Sequence, residues 1–196
     1  EGTDFATVSD ITISAGSLNN TTAFNPTPDD FYDALSAETG VIAISGVSGG
    51  SAGSSNQSVS ISITDAESAP SVSMDEGALA LNENSTNGKI YADLSGKTFE
   101  DVIVVIDGTV GNATEGVDFE TVSNITISAG SLRGIVAFVP IEDDIRDEFN
   151  NSDSKEFARM SISSLSGGGA TINTSDRVAV TAINDMEEEP TVQLTS

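Results

Sequence analysis

The 196-residue chain has no cysteine, no histidine and no tryptophan, and its aromatic content is eight Phe and two Tyr. Without Cys and His there is no thiolate nucleophile, no Ser-His-Asp relay and no zinc site of the usual ligand types, so any chemistry must rest on oxygen. Missing cysteines do not reveal the redox compartment, because modules with an adequate core do without disulfides. With few aromatics, the interior must be built from Val, Ile, Leu and Ala. Long apolar runs are also missing: no stretch of about 18 apolar residues occurs, so no membrane insertion is expected.

Positive charge is scarcer still. Seven Lys and Arg face 31 Asp and Glu for a net charge of −24, and residues 1–88 hold no base at all. Acids in that half have no cation nearby in sequence. Two carboxylates about 4 Å apart repel by roughly 4 kcal/mol at an effective dielectric near 20, so acids gathered by the fold need a proton or a cation. Nucleic acid and anionic membranes are poor partners for such a chain. The blander reading of the charge total is solubility, including solubility in salty water.

What is present is a repetition. The segment Glu1-Gly2-Thr3-Asp4-Phe5-Ala6-Thr7-Val8-Ser9-Asp10-Ile11-Thr12-Ile13-Ser14-Ala15-Gly16-Ser17-Leu18 returns as Glu115-Gly116-Val117-Asp118-Phe119-Glu120-Thr121-Val122-Ser123-Asn124-Ile125-Thr126-Ile127-Ser128-Ala129-Gly130-Ser131-Leu132. A period of about 114 residues exceeds any solenoid unit of about 20–50 residues, so each copy is read as a domain. A strand-rich stretch from Ser71 to Asn112 precedes the second copy and has no equivalent before the first, while Glu187 to Leu194 resembles Glu67 to Met74. The expected organisation is a partial domain over 1–68, a complete one over 69–189, and the first strand of a following repeat over 190–196. The chain is thus expected to be a window on a longer array.

Period-two alternation marks half-buried strands in Ile11 to Ser14, Val59 to Thr64 and Ala158 to Ser163. Further strands are expected over Val41 to Ser45, Lys89 to Leu94, Phe99 to Ile106, Gly134 to Val139 and Arg177 to Ile183. Turn chemistry rich in Gly, Ser, Asn and Asp separates them. About seven strands per complete copy indicate an all-β fold of immunoglobulin-like β-sandwiches in tandem, with a barrel as the alternative. The joint Asp65-Ala66-Glu67-Ser68-Ala69-Pro70 is short and contains Pro, so consecutive domains are expected end to end.

Acids recur near strand ends. In the second copy they are Glu83, Asp118, Asp143 and Asp144 with Glu148, and Asp185; in the first the counterparts are Asp4, Asp29 and Asp30, and Asp65. Ca²⁺ takes about six to eight oxygens from carboxylates, carbonyls and water, and the loops at one pole of a sandwich can supply them without His or Cys. Each acid taken singly is also compatible with a solvated loop residue. It is the recurrence without compensating base that indicates metal.

The string Glu115-Gly116-Val117-Asp118-Phe119, then Ile125-Thr126-Ile127 with Ala129-Gly130, then Val139-Pro140-Ile141-Glu142-Asp143-Asp144 with Glu148, then Glu156-Phe157 before Ser161, resembles the Calx-β repeat. The resemblance covers nearly all of the second copy and most of the first. It implies a sandwich of about seven strands that binds Ca²⁺ at its distal loops, near the joint with the next domain. Carried over by position, the ligands it implies are Glu83, Asp118, Asp143, Asp144, Glu148 and Asp185. Where that family closes with a run of acids, this chain has Asn184-Asp185-Met186, with Glu187 and Glu188 as substitutes. In the first copy Ala34 stands in the place of Glu148 and Thr64 in the place of Asn184, which predicts weak or partial filling there, with Asp33 or Glu38 as compensating acids.

The functional expectation is a non-enzymatic, extracellular or cell-surface structural repeat of a large adhesin-like protein, whose Ca²⁺ stiffens the inter-domain joint. Its partners would be neighbouring repeats of the same protein, with head-to-tail exchange of the 187–196 strand as an assembly mode; the residues do not identify an adhesive target. The alternatives are a regulatory calcium sensor and, further off, a glycosidase working with two carboxylates.

Overall fold

A computed structural model describes residues 4–34, 37–77, 80–108, 111–143, 155–188 and 191–194. All regular structure among them is strand. Among the described residues no helix is long and apolar enough to cross a membrane.

The second copy folds as two packed sheets. One has the order β10-β6-β4-β12, formed by Arg133–Phe138, Gly88–Leu94, Ser71–Asp75 and Thr171–Ile172. The other has the order β5-β13-β11-β8-β9, formed by Ala80–Asn82, Val178–Asn184, Lys155–Ser166, Val102–Asp107 and Ile125–Ile127. Two facing sheets make a sandwich, and the barrel alternative is set aside. Alternation is the reason these runs are strands: Ile90, Ala92 and Leu94 of β6 point inward, as do Val102 and Val104 of β8 and Ala158, Met160 and Ile162 of β11. These side chains form one core with Val72, Ile125, Ile127, Phe119 and Phe138. A register shift between Ile162 and Ser164 lets the long β11 continue alongside β8.

In the first copy, β2 (Glu38–Ala43) and β3 (Ser58–Ile63) form an antiparallel hairpin, and β1 (Phe31–Tyr32) pairs in parallel with β7 (Lys97–Thr98) of the second copy. The repeat seen in sequence is a repeat in geometry. Phe5 and Phe24 lie 4.9 Å apart with a 36° tilt, and Phe119 and Phe138 lie 5.2 Å apart with a 32° tilt. Ala6 N donates to Asn25 O and Thr27 N to Asp4 O in the first copy; Glu120 N donates to Val139 O and Ile141 N to Asp118 O in the second.

Two expectations are corrected. Residues 11–14 are not a strand, although their counterparts Ile125–Ile127 are β9. The second copy sets β8 beside β9, whereas Ile11 and Ile13 have no strand beside them among the described residues and are 52% and 55% exposed. A strand needs a ladder partner, and alternation alone does not supply one. The strand expected from Phe99 begins only at Val102, because Phe99 and its neighbours are used to receive β1. The strand expected over 190–196 lies partly outside the described residues; of it, 191–194 are described and carry no strand assignment, with Val192 and Leu194 almost fully exposed.

Candidate metal centre

The site forms where β5 and β13 end together. These strands pair in parallel with Asn82 opposite Asn184, so the next residue of each, Glu83 and Asp185, emerge side by side. Glu83 N donates to Asn184 O at 3.1 Å, and Asn184 Nδ2 donates to Asn82 Oδ1 at 3.2 Å, which locks that register. Alternation breaks just before: Thr181, Ala182 and Ile183 are all buried, so the strand delivers its terminal acids from a rigid base. Glu187 N then donates to Asp185 Oδ1 at 2.8 Å, an Asx turn that folds Glu187 back over the strand end.

Carboxylate oxygens of Glu83, Asp185 and Glu187 consequently lie within 4.8 Å of one another. Glu83 is buried, and the other two are half-buried. The hydrogen bond between the Glu187 and Asp185 side chains, then burial and the Asp185 charge, hold the Glu187 carboxyl above its ordinary value. Two buried oxygens at this strand end are informative. Asn184 Oδ1 and Glu187 Oε2 are buried and receive no hydrogen bond among the described residues. Buried oxygens without donors are costly, and a hard cation satisfies oxygens of this kind. The donor set therefore fits Ca²⁺.

The structure does not gather every expected ligand. Asp118 Oδ2 caps its own turn by accepting from Thr114 N at 2.5 Å, and neither Asp118 nor Asp143 belongs to the trio. Asp144 and Glu148 lie outside the described residues. In the first copy, Asp65 accepts from Asp33 N at 2.7 Å and from Glu67 N at 3.2 Å, while Asp29 accepts from Phe31 N at 2.8 Å. Burial pushes Asp65 up, but the bonds from Asp33 N, Glu67 and Ala66 outweigh it and leave its carboxyl below the usual value. Glu67 is raised by its hydrogen bond to Asp65, by burial, and by the charges of Asp65 and Asp29. Asp4 is exposed and lines, with Phe5, Glu38, Gly40 and Ile63, a cavity of about 360 Å³; Asp30 is exposed.

Sequence reasoning treated Glu187 only as a substitute and did not single out Glu67. The signal was present: Asp65-Ala66-Glu67 and Asp185-Met186-Glu187 share one spacing at the same point of each copy. Both pairs fold into the same Asx turn.

No family model matches this chain, and no curated protein does. Among solved structures it is similar to the apo form of the Calx CBD1 domain, at 18% identity and a TM-score of 0.48, over 59% of this chain and 98% of that one. It is also similar to CBD12 from CALX1.2, at 18% identity and a TM-score of 0.46, and to the calcium binding domain CBD12 of CALX1.1, at 19% identity and a TM-score of 0.45. Each of these two matches covers 56% of this chain and 42% of the other.

Proposed function

We propose that this chain is a calcium-binding structural repeat of a large surface or adhesin-like protein, in which Ca²⁺ stiffens the joint between consecutive domains. The observation that carries it is the cluster of Glu83, Asp185 and Glu187, together with Glu187 Oε2, which is buried and receives no hydrogen bond among the described residues. A bound cation would supply positive charge that cancels carboxylate repulsion.

The placement supports the stiffening role. Asp185 and Glu187 lie between the last sandwich strand and whatever follows it, and Asp65 and Glu67 lie in the joint that leads from β3 to β4. Asp65 also grips the backbone of Asp33, next to the segment that pairs with β7. Ordering the acids therefore orders the joint. A ligand that binds only the ordered arrangement stabilises it by about 2.7 kcal/mol at a hundredfold excess over Kd. The surface location fits the modest number of carboxylates, which suits extracellular calcium levels with Kd around 10⁻⁴–10⁻³ M.

Isothermal calorimetry with Ca²⁺ tests the reading. The parent chain is expected to bind with a midpoint in that range, and Glu187→Gln to weaken binding at least about tenfold by removing a carboxylate charge. Asp143→Asn with Asp144→Asn asks whether the corner after Pro140 contributes as well. No heat from the parent would end the proposal, and a steep response at submicromolar Ca²⁺ would move it to a regulatory sensor. The glycosidase alternative gains nothing from the cavity near Phe5, since its two carboxylates, Asp4 and Glu38, are exposed and a general acid needs burial to raise its pKa.

A further inference from the structure

The contact between the copies carries more than a joint. β1 lies parallel to β7 with Phe31 opposite Lys97 and Tyr32 opposite Thr98, and Phe99 N donates to Tyr32 O at 3.1 Å. The Phe31 ring meets Phe99 edge-on at 5.7 Å and 65°, and Lys97 Nζ stands 5.3 Å from its centroid. Two glycines complete the seat. A Cβ on Gly130 would lie 3.2 Å from the Phe31 ring, and a Cβ on Gly169 would lie 2.8 Å from the Tyr32 ring and 2.7 Å from Ala34 Cβ. Positive φ already explains glycine at both positions; the close approach adds that a Cβ at Gly169 would force Tyr32 or Ala34 to shift, while one at Gly130 would press tightly on the Phe31 ring. Gly130 N donates to Thr98 O, so the turn and β7 form one surface.

The geometry points to a repeat-recognition socket: Lys97, Phe99, Gly130 and Gly169 accept an aromatic pair that follows the acidic corner of the preceding copy, and they discriminate among repeats by that pair. The second copy carries Ile145-Arg146 where the first carries Phe31-Tyr32, counted from Asp143-Asp144 and Asp29-Asp30. An Ile has no π face for Lys97 or edge partner for Phe99, and an Arg brings like charge toward Lys97. Neighbours are thereby sorted by sequence, so a repeat with the Ile-Arg pair would not seat in this socket. The partner that fits is a Calx-like acidic corner followed by two aromatics. This inference concerns packing and does not depend on a bound ion.

Hydrogen exchange of the full chain, read at single amides, tests it. The Phe99 amide should be protected in the parent both in Ca²⁺ and after chelation, so failure of calcium binding leaves this proposal standing. In the double variant Phe31→Ile, Tyr32→Arg, the Phe99 amide should exchange at least about tenfold faster while the β2–β3 amides and the Ile44 amide, bonded to Gln57 O, keep their rates. Should that variant also loosen the hairpin, Gly169→Val decides from the socket side, with the same acceleration expected. A Phe99 amide that is unprotected in the parent, or unchanged in Gly169→Val, overturns the socket.

Discussion

At the scale of single residues, the Asp-x-Glu pair is the unit that repeats most faithfully. Asp185 and Glu187, like Asp65 and Glu67, share a hydrogen bond between side chains, and in each pair the Glu is the one raised. A raised folded-state pKa means that the native protein binds that proton more tightly than the unfolded chain does. Stability from these two groups is therefore complete below the ordinary glutamate value of 4.5 and is lost as pH climbs through the raised values. Asp65 runs the other way. Its lowered carboxyl contributes above its ordinary 3.8, and that contribution disappears as pH falls through the lowered value. In calcium-free buffer the melting temperature should thus rise as pH is lowered from neutrality toward the mid-4 range and fall again at stronger acid. Saturating Ca²⁺ should flatten the upper limb, because it competes for the same oxygens. Scanning calorimetry across this range checks both statements; a melting temperature that climbs steadily from pH 4.5 to neutrality without Ca²⁺ would contradict them.

Among the elements, legibility followed burial. Gly88–Leu94 and Lys155–Ser166 were readable because each alternates against one core, Val178–Asn184 because it is an apolar run buried at its end, and the expected spans miss the observed ends by a few residues. Short strands such as Lys97–Thr98 and Thr171–Ile172 carry no pattern of their own and exist because a neighbour offers backbone groups. Ile11 to Ser14 shows the converse, a good pattern with no neighbour. The site was half legible for the same reason: acids at strand ends can be read from sequence, but the parallel β5–β13 register that sets Glu83 beside Asp185 is a long-range pairing. Gly88 illustrates an element-scale constraint. It stands opposite Phe138, and a Cβ there would press into the Phe138 carbonyl oxygen and the Leu81 side chain. Gly88→Ala should cost about 1–3 kcal/mol despite the better strand propensity of alanine, measured by urea denaturation. A neutral or stabilising result would mean that β6 and β10 yield more easily than their register implies.

For the whole molecule, the two copies offer one motif in two degrees of enclosure. Phe119 and Phe138 are fully buried within the sandwich core, whereas Phe5 is 7% exposed and packs on a half-buried Phe24 above the β2–β3 hairpin. The contacts across the joint, through Phe31, Tyr32 and Lys97, are few beside those within the second copy's two sheets. The chain should therefore melt in two steps and not as one unit. Phe119→Ala removes a side chain from a closed core and should lower the stability of the second-copy transition by about 3–5 kcal/mol. Phe5→Ala should leave that transition within about 0.5 kcal/mol, since it shares no core with it, and should release the Ala6 amide from protection by Asn25 O. Calorimetry paired with exchange at Ala6 and Met160 separates the two copies. Equal shifts of a single transition by both substitutions would show that the joint couples them into one cooperative body, and the socket around Phe31 would then be the place to look for the coupling.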